Sequence, residues 1–555
     1  MSGSTQLKQT KLAAEPCGEK RKCDQRQGVR GRPGSEGRQS GGNWTSSLDS
    51  GRAVNYNHCM SLLILSFAAL SLHLVPTDAA HGECPAAARF ERAACPVEVA
   101  AGERIDCGVL LVPENRNKAE SRTIRLPVML FRSRAASPAI DPVLFLTGGP
   151  GNSGVAGRRS GHGIPFLDER DYIVMEQRGT GFASPALECP AINTIKTEIA
   201  AGRLRGDAAN AELVKAATAC REKLTASGAD LDGYTSEASA DDIEDLRKAL
   251  GYARWNLYGL SYGTRLALTV LRRHPSGVRS VVLDSVLPPE VNFDEVASSN
   301  LLRALNAVFD GCASDRECGT AHPGLRRGFA DLVAAADRQP LRLPIDPADA
   351  RGSHAEVRGA QLVDAIYNAL HKPQVIPQIP RIVSAAAAGS CAELLALVKE
   401  NLGPSSVSWG MRYSVWCAEE MPFESAERIA AQLSPGLGLG GIDETTASPE
   451  VCRAWKVAPA QAVENEPVKS DIPTLILAGE FDPDTPPDWG RQLLESMPNA
   501  RYVEFRGRSH GAGFTACGVE VVSAFLREPG SPLPVECTLK VRGADFGSSA
   551  RGVKR

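Results

Sequence analysis

One stretch limits what this chain can become. Trp255-Asn256-Leu257-Tyr258 reads as a buried strand, Gly259-Leu260-Ser261-Tyr262-Gly263 as a tight turn, and Thr264-Arg265-Leu266-Ala267-Leu268 as the opening of a helix. A strand that turns into a helix within so few residues strains the residue at the apex. The two flanking positions must also be nearly free of side chain for the helix to pass over the strand. Gly259 and Gly263 fill those positions and Ser261 the apex. A serine held there presents its Oγ at the carboxyl edge of a sheet, and the N–H of Tyr262 points at whatever the serine attacks. Gly-x-Ser-x-Gly also recurs by chance, so the flanks must decide between a nucleophile and a plain glycine-rich turn.

The flanks are ordered as a sheet protein requires. Pro142-Val143-Leu144-Phe145-Leu146 is a continuous apolar strand that ends in Thr147-Gly148-Gly149-Pro150-Gly151. That loop lacks both a Gly-Lys-Ser/Thr ending and dinucleotide spacing, which argues against a nucleotide. It suits Gly149 as a second backbone donor facing Ser261. A strand at 171–175, a helix at 240–250 closed by Gly251, and a strand at 278–284 follow in alternation. This rhythm predicts an α/β fold, a mostly parallel sheet with helices on both faces. From about Pro288 to Lys469 apolar residues recur at helical spacing instead (Leu301, Leu305, Val308; Leu362, Ile366, Leu370). We read 288–469 as a helical lid inserted between two parts of one core, 84–287 and 470–540, with a tail at 541–555.

An alkoxide at neutral pH needs a base, and the base an orienting carboxylate. Where the sheet resumes, Gly479-Glu480-Phe481-Asp482-Pro483-Asp484 follows one strand and Gly507-Arg508-Ser509-His510 the next. His510 is the only histidine beyond Asp482, which makes it the expected base. Asp482 is favoured as the acid because it comes sooner after its strand; Asp484 suits a turn or a helix cap. The other histidines, His371 among them, form no ligand pattern, so neither metal nor cofactor is expected.

Net charge is −3 over 555 residues, which leaves no basic field for nucleic acid. Residues 1–59 are polar and basic and read as a disordered or over-extended start. Residues 60–80, an apolar run too short to span a bilayer followed by Pro76-Thr77-Asp78-Ala79-Ala80, read as a signal peptide. The expectation is export to the periplasm or beyond, with no lasting membrane insertion. Twelve of the 15 cysteines follow that point, none in a Cys-x-x-Cys pair, so disulfides are expected rather than metal. Short loops suggest Cys189–Cys220, Cys312–Cys318, Cys417–Cys452 and Cys517–Cys537.

Together, Gly148-Gly149-Pro150-Gly151, Gln177-Arg178-Gly179-Thr180-Gly181, the segment Asn256–Leu268, Asp482–Pro486 and Gly507–His510 resemble the tripeptidyl and prolyl aminopeptidase branch of the α/β-hydrolases, whose members carry a TAP-like C-terminal region. The resemblance spans about residues 100–540. It implies Ser261, Asp482 and His510 as the triad, and the N–H groups of Gly149 and Tyr262 as the oxyanion hole. Val415–Phe423 is similar to a lid segment in which Glu419 and Glu420 would receive the substrate's amino terminus; a solvated helix face is the competing reading. Two residues depart from the pattern: Thr147 stands where prolyl iminopeptidases usually have His, and Glu176 where Asp precedes Gln-Arg-Gly. The implied activity is that of an exported serine aminopeptidase releasing tripeptides or single residues from a peptide. An esterase or amidase for small molecules is the alternative, and a silent binding protein would be expected to have lost a triad member.

Overall fold

The apolar runs bounded by proline and glycine become strands, and in the order the alternation requires. The computed structural model describes residues 88–344, 354–403, 406–432, 447–540 and 544–547. The polar start at 1–59, the apolar run at 60–80 and most of the tail at 541–555 lie outside the described residues. The strands are β1 (Arg89–Arg92), β2 (Ile105–Pro113), β3 (Thr123–Phe131), β4 (Ala139–Leu146), β5 (Arg170–Met175), β6 (Trp255–Leu260), β7 (Val278–Asp284), β8 (Leu341–Pro344), β9 (His354–Val357), β10 (Thr474–Gly479) and β11 (Ala500–Phe505). Nine of them form one sheet in the order β1-β2-β3-β5-β4-β6-β7-β10-β11. β1, β2 and β3 pair antiparallel, β3 meets β5 antiparallel, and every pair from β5 to β11 is parallel.

Register brings the site together. Leu146 of β4 pairs with Gly259 of β6, Leu260 with Asp284 of β7, and Gly479 of β10 with Phe505 of β11. The loops after these strands therefore leave the sheet on one edge, where open parallel sheets bind ligands.

Helices that matter for the site are α1 (Ser236–Ala249), α2 (Tyr262–Arg273), α3 (Ala297–Ser314), α4 (Gly359–Leu370), α5 (Trp409–Glu419), α6 (Pro449–Trp455) and α7 (Ala516–Arg527). Neighbouring residues of β6 point to opposite faces and both are buried. Leu257 joins a core with α1 and α2, while Tyr258 joins a second core with α7. A strand covered on both faces cannot alternate polar with apolar, which is why Val143–Leu146 of β4 and Leu475–Ala478 of β10 read as unbroken apolar runs.

Between β7 and β10 the described residues are mostly helical, but they do not share one core. Residues of α3 and α4 pack in a cluster of their own around Leu305, Phe329 and Ile366. Trp409, Tyr413 and Trp416 of α5 and Trp455 of α6 instead belong to the core beneath one face of the sheet. A two-stranded antiparallel hairpin, β8 with β9, also lies here. It was not expected, because four-residue strands are too short to show a period of two against helical surroundings.

All four expected disulfides form, and a fifth joins Cys95 to Cys107. Cys391 is unpaired and Cys84 lies outside the described residues. Among the described residues no helix is long and apolar enough to cross a membrane.

Candidate active site

The turn between β6 and α2 is as tight as its glycines demand. Ser261 sits at φ 57°, ψ −129°, a region that costs a non-glycine residue roughly 1–3 kcal/mol. A Cβ on Gly263 would lie 2.0 Å from the carbonyl oxygen of Leu146, and one on Gly259 2.4 Å from that of Gly263. Only glycine lets α2 cross so close to β4 and β6. The same crowding sets the oxyanion side. A Cβ on Gly148 would meet Ser261 Cβ at 2.8 Å and Oγ at 3.3 Å, so the loop after β4 lies against the nucleophile. Among the described residues the N–H groups of Gly149 and Tyr262 make no hydrogen bond, leaving both to a ligand. Several contacts hold that loop from behind. Gln177 Nε2 donates to Thr147 O (3.0 Å), Arg412 Nη1 to Gly149 O (3.3 Å) and Ser408 N to Gly151 O (2.9 Å). Its neighbour Arg178, fully buried, donates to both oxygens of Asp242 at 2.7 and 2.6 Å. The Gln177-Arg178-Gly179 run is thus a brace beneath the site.

The expected acid and base come from the loops after β10 and β11. Asp482 Oδ2 is 2.9 Å from His510 Nδ1 and accepts from Thr485 Oγ1 at 2.7 Å, while Oδ1 accepts from the N–H groups of Asp484 and Thr485, each at 2.9 Å. Burial alone would raise the Asp482 carboxyl. The adjacent His510 ring and these donors more than reverse that and hold it well below the usual carboxylate range. Burial pulls His510 down, but the charges of Asp482, Asp484 and Asp284 outweigh it and push the imidazole up to about 9. The His510 loop is pinned by Gly511 N donating to Ser285 Oγ (2.9 Å) and Gly513 N to Asp284 Oδ2 (3.0 Å). Nδ1 is committed to the acid, so Nε2 is the atom left for Ser261; the structure records no hydrogen bond between the two residues.

Asp484 is not the turn or cap residue that its sequence position suggested. Its carboxylate bonds Tyr367 Oη (2.6 Å) and His371 Nε2 (2.9 Å). Among the described residues only His371, Asp484 and His510 offer three donor atoms within 4.8 Å of one another. Those atoms are spent on hydrogen bonds within the site, and we assign no metal ligand.

The comparisons with known proteins bear on the fold and its two parts. Residues 141–315 match the family described as the alpha/beta hydrolase fold, and 442–537 the family described as TAP-like protein. The first span holds Ser261, the second Asp482 and His510. This chain has the α/β-hydrolase fold, and its C-terminal region matches the TAP-like family. It is 24% identical to the serine protease Hip1 of Mycobacterium tuberculosis, over 76% of this chain and 84% of the relative. It is equally identical to a tripeptidyl aminopeptidase of Streptomyces lividans, over 78% and 84%. A putative hydrolase of Escherichia coli, YuaR, is 22% identical over 78% and 87%.

In this fold the lid glutamates stand in the interior. Glu419 and Glu420, at the end of α5, are 1% and 3% exposed, so neither lies on a solvated helix face. Glu419 accepts from Ser236 N (2.5 Å) and Ser236 Oγ (2.6 Å) and lies 3.8 Å from Arg265 Nε. Each of its oxygens thus already accepts a hydrogen bond from Ser236. Glu420 pairs with Arg265 Nη1 through one oxygen, and its other meets only Phe293 N at 3.4 Å. Burial raises the Glu420 carboxyl to about 7 despite Arg265, with the charge of Asp294 adding to the rise. Glu424, which accepts from Asp294 N at 2.8 Å, is raised to about 10 by burial, then by Asp294 and Glu420. Arg265 lies one helical turn after Ser261, so this acidic group is built onto the nucleophile's own helix. Arg265, Glu424, Thr485 and His371 went unread in the sequence. Only Thr485 carried a local signal, three residues after Asp482.

Proposed function

We propose that this chain is an exported serine exopeptidase that cuts peptides from a free amino terminus. His510 Nε2 takes the Ser261 proton as Oγ attacks the scissile carbonyl. The N–H groups of Gly149 and Tyr262 hold the oxyanion, the amine leaves with the proton from His510, and water releases the acyl-enzyme. The observation that carries the amino-terminal specificity is the charge imbalance beside α2, where buried Glu420 meets Arg265 through one oxygen and half-buried Glu424 has an oxygen with no hydrogen-bond partner among the described residues. Burying carboxylates without enough positive charge is costly, and an α-ammonium supplies what is lacking. We assign that role to Glu420 with Glu424, with Glu419 as the residue that fixes the end of α5. The names of the Streptomyces and Mycobacterium relatives favour a peptide substrate, and the former a tripeptide product. Five disulfides favour folding in an oxidising compartment.

The test is cleavage of mono-, di- and tripeptidyl chromogenic amides with free and acetylated amino termini, beside a Ser261→Ala control. Cleavage confined to free amines is the expected result. Equal rates on acetylated substrates, or activity on simple esters alone, would instead mark a hydrolase of small molecules.

A further inference from the structure

A second histidine–aspartate pair stands against the first. His371 caps the carboxyl end of α4, and its ring centroid lies 5.6 Å from that of His510. His371 Nε2 is 2.9 Å from Asp484 Oδ2, and the same oxygen is 4.0 Å from His510 Nδ1. Asp484 therefore has two imidazoles to choose from, and two contacts decide the choice. Tyr367 Oη donates to its other oxygen at 2.6 Å, and His371 Nδ1 faces the Tyr367 carbonyl at 3.1 Å. A carbonyl and a carboxylate both only accept, so a ring placed between them carries a proton on each nitrogen. The geometry makes His371 an imidazolium.

We propose that His371 is a positioning residue: as an imidazolium it offsets the charge of Asp484, holds that carboxylate off His510, and so keeps it from favouring the protonated form of the base further. Without it His510 would face three acids, Asp482 and Asp484 after β10 and Asp284 at the end of β7. Each favours the protonated ring. The other charged groups nearby do not replace His371. Arg303 of α3 donates to the carbonyls of Glu480 and Asp482 and Arg412 of α5 to Gly149 O, and among the described residues neither guanidinium forms an ion pair with Asp484. The Asp482–His510 pair orients the base, and the Asp484–His371 pair keeps a neighbouring charge from over-stabilising its acid form. Burial and Asp484 act on His371 in opposite senses, and the carboxylate prevails, raising the ring above its ordinary value.

The inference rests on Ser261 being activated by His510, not on the substrate being a peptide. The measurement is therefore the pH dependence of Ser261 labelling by a fluorophosphonate, which reads the ionisation of His510 whatever the natural substrate. In His371→Gln the amide still donates to Asp484 but brings no charge, and the acid limb is expected to move up by roughly one pH unit. Adding Asp484→Asn removes the charge left uncompensated, and the limb returns to within a few tenths of a unit of wild type. Asp484→Asn alone leaves it at or below wild type. A slower rate at every pH with an unmoved limb in His371→Gln would mean that His371 only supports the structure, and would overturn the proposal. So would a double variant that stays where the single one went. Should His371→Gln fail to fold, a limb above wild type in Asp484→Asn sinks the idea and one at or below it upholds it. If the wild-type enzyme is not labelled, the assignment of Ser261 has failed instead. The ring proton resonance of His510, followed with pH in the same variants, then decides the inference by itself.

Discussion

The two acid-bearing regions of this enzyme treat charge in opposite ways. At the sheet edge the two carboxylates after β10 are matched: Asp482 has His510 and Thr485, and Asp484 has His371 and Tyr367. Both are held below their ordinary range, burial notwithstanding. At the end of α5 the balance is left open, with Glu420 raised to about 7 and Glu424 to about 10. Burial is similar in both places, so the difference lies in the supply of cations and donors. One region is complete as it stands; the other, on our proposal, is completed by the substrate's amine. Chemistry that must be repeated on every substrate benefits from the first arrangement, and recognition of a charged end from the second.

The contrast can be broken most severely from the finished side. Ser261→Ala is expected to cost about 10⁴-fold or more in kcat and to abolish fluorophosphonate labelling, with the melting temperature little changed, since alanine keeps the Cβ that strains the turn. Residual labelling at full stoichiometry would move the nucleophile elsewhere. Asp482→Asn should lower kcat by roughly 10³–10⁴-fold, since the amide no longer orients the imidazole or stabilises its charge. Asp484→Asn should lose less than about tenfold at the pH optimum, because a matched neighbour only tunes the base. Equal losses would show that the two aspartates share the role.

The open side should yield smaller, substrate-dependent effects. Glu420→Gln removes a charged partner, and the preference for free over acetylated amino termini is expected to shrink by about 10–100-fold, with acetylated substrates little changed. A uniform loss on both would show that Glu420 only anchors α5. The smallest effect is in pH. A Glu420 raised to about 7 is ionised only above that value, whereas the α-amine is charged below about 8. Selectivity for the free amine should therefore grow as pH rises through about 7 and fade again above about 8. A preference that is flat from pH 5 to 9 would remove Glu420 from the amine site.

What was legible in the sequence follows the same division. Ser261, its glycines and the Gly148-Gly149 loop sit in short segments whose backbone geometry demands particular residues, so the pattern is local and readable. His510 could be reached by elimination within a single run of strands. Arg265 reads as one more helical cation and meets Glu420 only because α5, 155 residues away, folds down onto α2. His371 is likewise anonymous in sequence, since its partner lies 113 residues further on. The packing of 288–469 is hard to read for a related reason. Helical periodicity shows that a face is buried, not which core buries it, and α5 belongs with the sheet while α3 and α4 do not.

The Cys417–Cys452 bridge, which ties α5 to α6, gives the enzyme a sense of place. The nucleophile and its base are held by backbone turns, and neither they nor Asp482 carries or borders a thiol in sequence. The helix that ends in Glu420 is fastened by a bond that only an oxidising compartment makes and keeps. A chain retained among reduced thiols is therefore expected to have a working nucleophile behind an unfastened gatekeeper, reactive but poorly discriminating. Selectivity would then be the last property acquired, dated by the closing of one sulfur–sulfur bond rather than by the folding of the sheet.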